Sequence, residues 1–289
     1  MFKRQKTGSV VCASCGSLVG VNDDRCYTCG RRNPGLWGFG PLLRRFGNDF
    51  GFTTVIVYGC SAIYLASLVL TVLTGGNLLG TSVFAMFGPN RLAFEAFGAS
   101  GAYPVFVEGR WWTLLSAGWV HAGLLHILFN MLWVRQLGPA VADIYGAARM
   151  VIIYTIACVT GFFLSSFLAA FAAIPFFSGA GYTLGASAPI FGLLGALVYY
   201  GRRGGSSLVR SEATGYAITL FVFGLIMPGV DNAAHAGGFL GGYLAGLWLD
   251  PLKAERMDHF VGAAICLGLT ALSIVTSAVT VFVSMFVDA

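Results

Sequence analysis

Residues 233–249 read AAHAGGFLGGYLAGLWL, and this stretch decides the fold class. Its one side chain that can carry charge near neutral pH is His235. A helix on the surface of a soluble protein would carry a charged face, and this one has none. Six other apolar stretches accompany it, at 53–74, 123–142, 147–170, 185–200, 213–227 and 260–286. A helix needs about 20 apolar residues to cross the hydrocarbon core, and most of these suffice. The stretches 185–200 and 233–249 are short, which a span tolerates when other helices enclose it. Charged residues make up only 10% of the 289-residue chain, the mean hydropathy is +0.78, and 40 glycines permit close helix packing. The sequence therefore predicts an all-α polytopic membrane protein with seven spans.

A net charge of +5 would suit nucleic acid, but its placement points elsewhere. Eight of the 17 Lys and Arg precede residue 46. With a cytoplasmic N-terminus, Arg135, Arg149, Arg202, Arg203, Arg210, Lys253 and Arg256 also fall inside, and only Arg91 and Arg110 lie outside. This bias predicts a multi-pass protein of the cell (plasma or inner) membrane, N-terminus cytoplasmic and C-terminus external. No nucleic-acid partner is expected. The basic start, MFKRQKTGSV, meets no apolar run, so no cleaved leader is expected.

Four units are predicted: a polar head at 1–32, a Gly/Pro-punctuated linker at 33–52, a six-helix core at 53–250, and a seventh helix with its tail at 251–289. The head contains CASCG at 12–16 and CYTCG at 26–30. Two Cys-x-x-Cys knuckles supply four thiolates, Cys12, Cys15, Cys26 and Cys29, suited to tetrahedral Zn²⁺. A reducing cytoplasm disfavours the alternative of two disulfides. So small a segment builds little core, so a structural zinc would supply most of its folding energy. The head resembles a short zinc ribbon, whose role would be regulation or docking of a cytoplasmic partner. Cys60, Cys158 and Cys266 read as small packing residues. The loop at 75–122 carries Phe84, Phe87, Phe94 and Phe97 near helical spacing, then Trp111, Trp112 and Trp119; it is predicted to lie in the headgroup layer.

Polar residues inside a membrane are costly and invite a functional reading. His126 and Asn130 are four apart on one helix face. Ser187 opens the fourth span and His235 the sixth. Spans two, four and six run the same way, so at 1.5 Å per residue these four side chains fall within roughly 8 Å of depth. A serine hydroxyl needs a base, and a neutral histidine suits that task. Asn130 and His126 offer side-chain donors for an oxyanion. Ser187 offers its own N–H at a helix start. Gly238 and Gly242 follow His235 on its face, as Gly192 and Gly195 follow Ser187, which would let the two spans touch. A third acid is not evident, since Asp231 and Asp143 lie near span ends.

The stretches WVHAGLLHILFN at 119–130, GASAPIFGLLGA at 185–196 and AHAGGFLGG at 234–242 resemble the three core motifs of rhomboid proteases, in the right order on alternate spans. The resemblance implies a serine endopeptidase that cleaves transmembrane protein substrates within the lipid bilayer, near its outer face. By this match Ser187 is the nucleophile and His235 the base. Asn130, His126 and the Ser187 N–H match oxyanion positions. His121, Gly185, Phe191, Gly238 and Gly242 match supporting ones. The match departs at Ala188 and Pro189, where the family often has Gly after the serine, and at Phe191, where it often has Tyr. The first-loop Trp-Arg pair is replaced by Trp112-Thr113, with Arg110 nearby. The resemblance also implies lateral substrate access between spans two and five, with Phe221 and Phe223 as gate residues and residues 227–232 as a cap. No cofactor is expected for catalysis. With the head read as separate from the spans, its loss is expected to spare basal proteolysis.

The alternative is a catalytically weak relative that binds or escorts membrane proteins. A transporter is disfavoured by the lack of intramembrane carboxylates and of an inverted repeat. A zinc protease would want His-Glu-x-x-His, which is absent from the sequence.

Overall fold

The computed structural model describes residues 4–79, 86–172, 174, 177–204 and 206–287. Phe84 lies outside the described residues. Seven long helices are present: α1 (Phe52–Leu73), α2 (Leu124–Tyr145), α3 (Ala147–Phe171), α4 (Ser187–Arg203), α5 (Ser207–Ile226), α6 (Asn232–Leu249) and α7 (Met257–Val287). Each overlaps one predicted span. The largest shift is at α5, which starts six residues before the predicted 213. The Ser206 side chain accepts from the Val209 N–H and caps it. Arg210 and Glu212 made that first turn look like loop.

By length and composition α1, α3, α5 and α7 can cross a membrane, and α2 joins the helix Thr113–Ser116 and the turn Ala117–Trp119 across a 95° bend as a fifth candidate. Of the remaining two, α4 is enclosed, while α6 keeps one face open, with Leu240, Leu244, Leu247 and Trp248 exposed. Residues Ala188 to Tyr199 of α4 are all buried. On α1, by contrast, only Thr53, Ile56, Cys60, Tyr64, Ser67 and Thr71 turn inward, a stripe at helical spacing, while the other faces carry exposed aliphatics such as Val55, Leu65 and Val69. A helix facing lipid on most sides reads this way.

α6 sits between α3 and α4. The contact with α4 is so close that a Cβ on Gly238 would collide with the Ala188 carbonyl oxygen, and one on Gly242 with that of Gly192. These two glycines thus set the distance between the helices that carry Ser187 and His235. α5 stands apart, burying only Ala213, Ala217 and Gly224.

The segment between α1 and α2 is folded. It holds the helix Arg91–Ala96, started by Asn90 accepting from the Ala93 N–H, and a π-turn at Tyr103–Val107. A bridge between Ser100 and Thr183 ties it to the approach to α4. α7 secures it from the other side, with the Trp112 indole donating to Ser277 (3.0 Å) and Ser273 donating to the Trp112 carbonyl (2.6 Å).

The head is a two-stranded antiparallel hairpin, β1 (Ser9–Val11) and β2 (Leu18–Gly20), with Val10, Val19, Val21, Cys12 and Cys26 packed together. It is not separate from the helices, contrary to the sequence expectation. Ser14 Oγ donates to the Glu255 carbonyl (2.7 Å), and Arg31 pairs with the Glu255 carboxylate (3.9 Å) and lies over Phe260 (4.6 Å). Glu255 then accepts from the Arg149 N–H at the start of α3. Arg149 itself is 2% exposed, and its guanidinium donates to the carbonyls of Tyr145, Asp250, Lys253 and Ala254 and to His259. Composition gives no sign of this docking.

Candidate active site

α4 begins at Ser187. Pro189 is tolerated in its first turn because the first amides of a helix have no intrahelical acceptor. Gly185, two residues before the serine, has φ +121°, and a Cβ there would meet the His126 ring at 2.6 Å. Only glycine suits both conditions. The His126 imidazole therefore lies against the backbone leading to Ser187.

His126 Nδ1 accepts from the Ala122 N–H (3.2 Å), so in the neutral ring the proton is on Nε2. That N–H faces Gly185. His121 occupies the bend before α2, fully buried. Its Nε2 accepts from the Ala186 N–H (3.4 Å), and its ring meets His126 edge-on at 5.3 Å. Asn130 is buried and donates one N–H to the His126 carbonyl (2.8 Å), leaving the other free to donate elsewhere.

α6 begins with a cap: Asp231 accepts from the Ala234 N–H (2.9 Å) and from the Ser165 hydroxyl of α3. His235 follows one turn in. Its Nδ1 is 3.1 Å from Asn232 Oδ1, an oxygen that only accepts, so Nδ1 carries the proton and Nε2 is left with a lone pair. The His235 ring stacks on Phe191 at 4.3 Å and 17°. Phe191 is four residues after Ser187, on the same face of α4. Among the described contacts Ser187 makes no side-chain hydrogen bond, and Phe191 joins its face to His235. Asp143 lies at the far end of α2, bonded to Asn48.

Sequence reasoning missed Asn232. Its signal was available: an amide three residues before a histidine at a helix start can reach the ring. The Trp133–Tyr216 contact was missed as well. Phe221 packs on Phe177 (5.6 Å) and Phe223 is exposed, whereas α2 and α5 meet through Trp133 and Tyr216 (5.2 Å, 69°).

In the head, the four cysteine sulfurs lie within 4.8 Å of one another, an arrangement that can hold a metal ion. All four cysteines are free of disulfides. Each knuckle closes with a glycine N–H returned to a cysteine carbonyl, Gly16 to Cys12 and Gly30 to Cys26. Burial pushes the Cys29 thiol up to about 12. Burial also works against Cys15, yet hydrogen bonds to Ser17 hold it down at about 6. A thiolate is thus available to a soft cation at neutral pH.

Comparison with known proteins then decides the family. Residues 108–251 match the sequence profile of the Rhomboid domain. The chain belongs to the rhomboid family. It is 35% identical over 181 residues to the rhomboid protease GluP of Bacillus subtilis (strain 168), covering 62% of this chain and 34% of that protein. It is 34% identical over 173 residues to RHOMBOID-like protein 1 of Arabidopsis thaliana, covering 56% and 40%, and 33% identical over 175 residues to RHOMBOID-like protein 7 of the same plant, covering 57% and 51%. The chain thus spans between about a third and a half of the length of these relatives. The fold is accordingly that of a multi-pass membrane protein with a six-helix rhomboid-like core, a seventh helix and a small cysteine-bearing head.

Proposed function

We propose that this chain is an intramembrane serine endopeptidase acting on transmembrane substrates through a Ser187–His235 dyad. The observation that carries the reading is the state of His235: Asn232 holds Nδ1–H, and Phe191 stacks the ring on the face of α4 that bears Ser187. Ser187 Oγ attacks the scissile carbonyl carbon while its proton passes to His235 Nε2. The new oxyanion is received by His126 Nε2–H, the Ser187 N–H and the spare Asn130 N–H. Collapse breaks the C–N bond, with the proton returned from His235 to the leaving amine. Water then releases the acyl group by the reverse sequence.

The basic-residue bias supports an orientation with the head in the cytoplasm and the Ser187 end outward. The substrate helix would reach the site laterally between α2 and α5, where the Trp133–Tyr216 pair must part. The domain limits that go with this reading are a head at 1–32, a linker at 33–52, a catalytic core at 53–250 and an appended helix at 251–289. The ion at Cys12, Cys15, Cys26 and Cys29 is read as structural Zn²⁺, from the all-thiolate donor set.

The deciding experiment places purified full-length protein in liposomes with a synthetic single-span substrate. Wild type is expected to cleave it and Ser187→Ala to be inert. A fluorophosphonate should label wild type at Ser187 and leave His235→Ala nearly unlabelled. Cleavage by pure Ser187→Ala would refute the mechanism, and binding without cleavage by wild type would make the chain an escort factor. Elemental analysis should give one zinc per wild-type chain and none in Cys12→Ser/Cys26→Ser; equal zinc in both would refute the metal assignment.

A further inference from the structure

α4 and α5 touch at their hairpin, where Gly201 packs on the stem of Arg210, but α5 hardly meets α6. The space left between the three helices is a cleft of about 660 Å³. Its walls are apolar, formed by residues such as Val198, Ala217, Ile218 and Phe239. One end is closed by Phe191 and His235, and the other by Arg202 and Arg210.

The dimensions select an occupant. From Phe191 to Arg202 the helix rises about 16 Å. That is the depth of one leaflet, half of the roughly 30 Å hydrocarbon core. A membrane-crossing helix about 10 Å wide and about 30 Å long would fill several times the available volume. The charges select it further. Arg202 and Arg210 are both exposed, and among the described residues neither forms an ion pair. Among the described residues Arg202 reaches only the Tyr243 hydroxyl (3.4 Å). Two guanidinium groups at the level where a leaflet's headgroups lie, above an apolar cleft one acyl chain deep, complement a phosphate and its lipid tail.

We propose that this cleft holds an anionic phospholipid from the leaflet on the side of the α4–α5 hairpin, its phosphate on Arg202 and Arg210 and one acyl chain running up to Phe191 and His235. If the protease reading holds, the acyl chain then ends against the catalytic base, while the phosphate stays about 16 Å away.

The test uses full-length protein, and it reads lipid rather than proteolysis, so Ser187→Ala should behave as wild type. Dioleoyl-phosphatidylglycerol is compared with dioleoyl-phosphatidylcholine by native mass spectrometry. Versions of each carrying a diazirine near the chain end are used for photolabelling. Wild type should retain one phosphatidylglycerol and take label within 235–243. R202Q/R210Q should bind phosphatidylglycerol about 30-fold more weakly, at a factor of about five for each basic residue near the headgroups. Its affinity for phosphatidylcholine should not change. A217F, which fills the cleft, should lose the label; because both arginines are exposed, R202Q/R210Q keeps the test open if A217F misfolds. Equal retention by wild type and R202Q/R210Q would overturn the proposal. So would label spread evenly over lipid-facing helices, displacement by millimolar inorganic phosphate alone, or a single-span peptide that displaces the lipid and crosslinks inside the cleft.

Discussion

The two ends of the helix bundle treat buried polar groups in opposite ways. At the head end, every guanidinium nitrogen of Arg149 donates a hydrogen bond, Glu255 receives from Arg149 and pairs with Arg31, and within this cluster Arg31 Nε is the buried nitrogen left over. At the Ser187 end, capacity is left over. Ser187 makes no side-chain hydrogen bond among the described contacts, the His126 Nε2–H faces a glycine, and His121 Nδ1 is buried without a partner. A nearly saturated cluster stabilises one arrangement, and its groups have little further to offer a substrate. Spare donors and a free lone pair in a buried place cost stability, and are expected where chemistry is done. The contrast separates structural from functional polarity without reference to any relative.

The largest expected effect tests the functional side. Ser187→Ala and His235→Ala should each reduce cleavage by at least about 10⁴-fold. Their unfolding temperatures in detergent should stay within a few degrees of wild type, since neither removes the partner of a buried charge. A large fall in stability would mean that these residues are structural after all. The structural side breaks the other way. Arg149→Met removes the donor from five acceptors, the carbonyls of Tyr145, Asp250, Lys253 and Ala254 and the His259 ring, and should cost about 3–5 kcal/mol in thermal unfolding. If Arg149→Met unfolds like wild type, the head end is not the clamp described.

The same contrast explains what the sequence could reveal. Spans are written in hydropathy, so α1, α3 and α7 were legible nearly to the residue. α5 was legible except for its charged first turn. Ser187, His235, His126 and Asn130 stood out because a polar residue in an apolar helix has few ordinary reasons to be there. The head end was illegible for the converse reason. Arg31, Arg149 and Glu255 lie in or beside loops, where charge is unremarkable, and nothing local says that Arg31 will travel to a loop 224 residues away. Asn232 was hidden by its place at a helix start, where an amide reads as a cap. The pairing of Trp133 with Tyr216 was invisible because it depends on how far α5 leans from the bundle.

A smaller effect is expected at His126, whose Nε2–H is one of the spare donors of the site. His126→Ala should lower cleavage about 10²–10³-fold, the usual loss for one oxyanion donor, with substrate binding little changed. Reactivity of Ser187 toward a fluorophosphonate should fall in parallel, because that reagent also builds charge on an oxygen. If KM rises while kcat holds, His126 contacts the ground state and the oxyanion reading is wrong.

The smallest and most specific prediction concerns Asn232. It touches His235 Nδ1 rather than the substrate, so it acts as a positioning residue. Without its acceptor the neutral imidazole no longer has a preferred tautomer, and the productive fraction with a free Nε2 lone pair falls. Loss of one such hydrogen bond, roughly 1–1.5 kcal/mol, corresponds to about a tenfold fall in kcat for Asn232→Ala. Asn232→Asp restores the acceptor and adds a negative charge behind the ring. A nearby opposite charge favours the protonated imidazole. The base must be neutral to accept the serine proton, so the acid limb of the pH–rate profile should move to higher pH in Asn232→Asp, with much of the rate recovered on the alkaline side. A purely structural Asn232, packed on Gly224 of α5, would lower the unfolding temperature in both variants and leave the limb where it is. An unmoved limb in an active Asn232→Asp enzyme would therefore remove Asn232 from the catalytic arrangement.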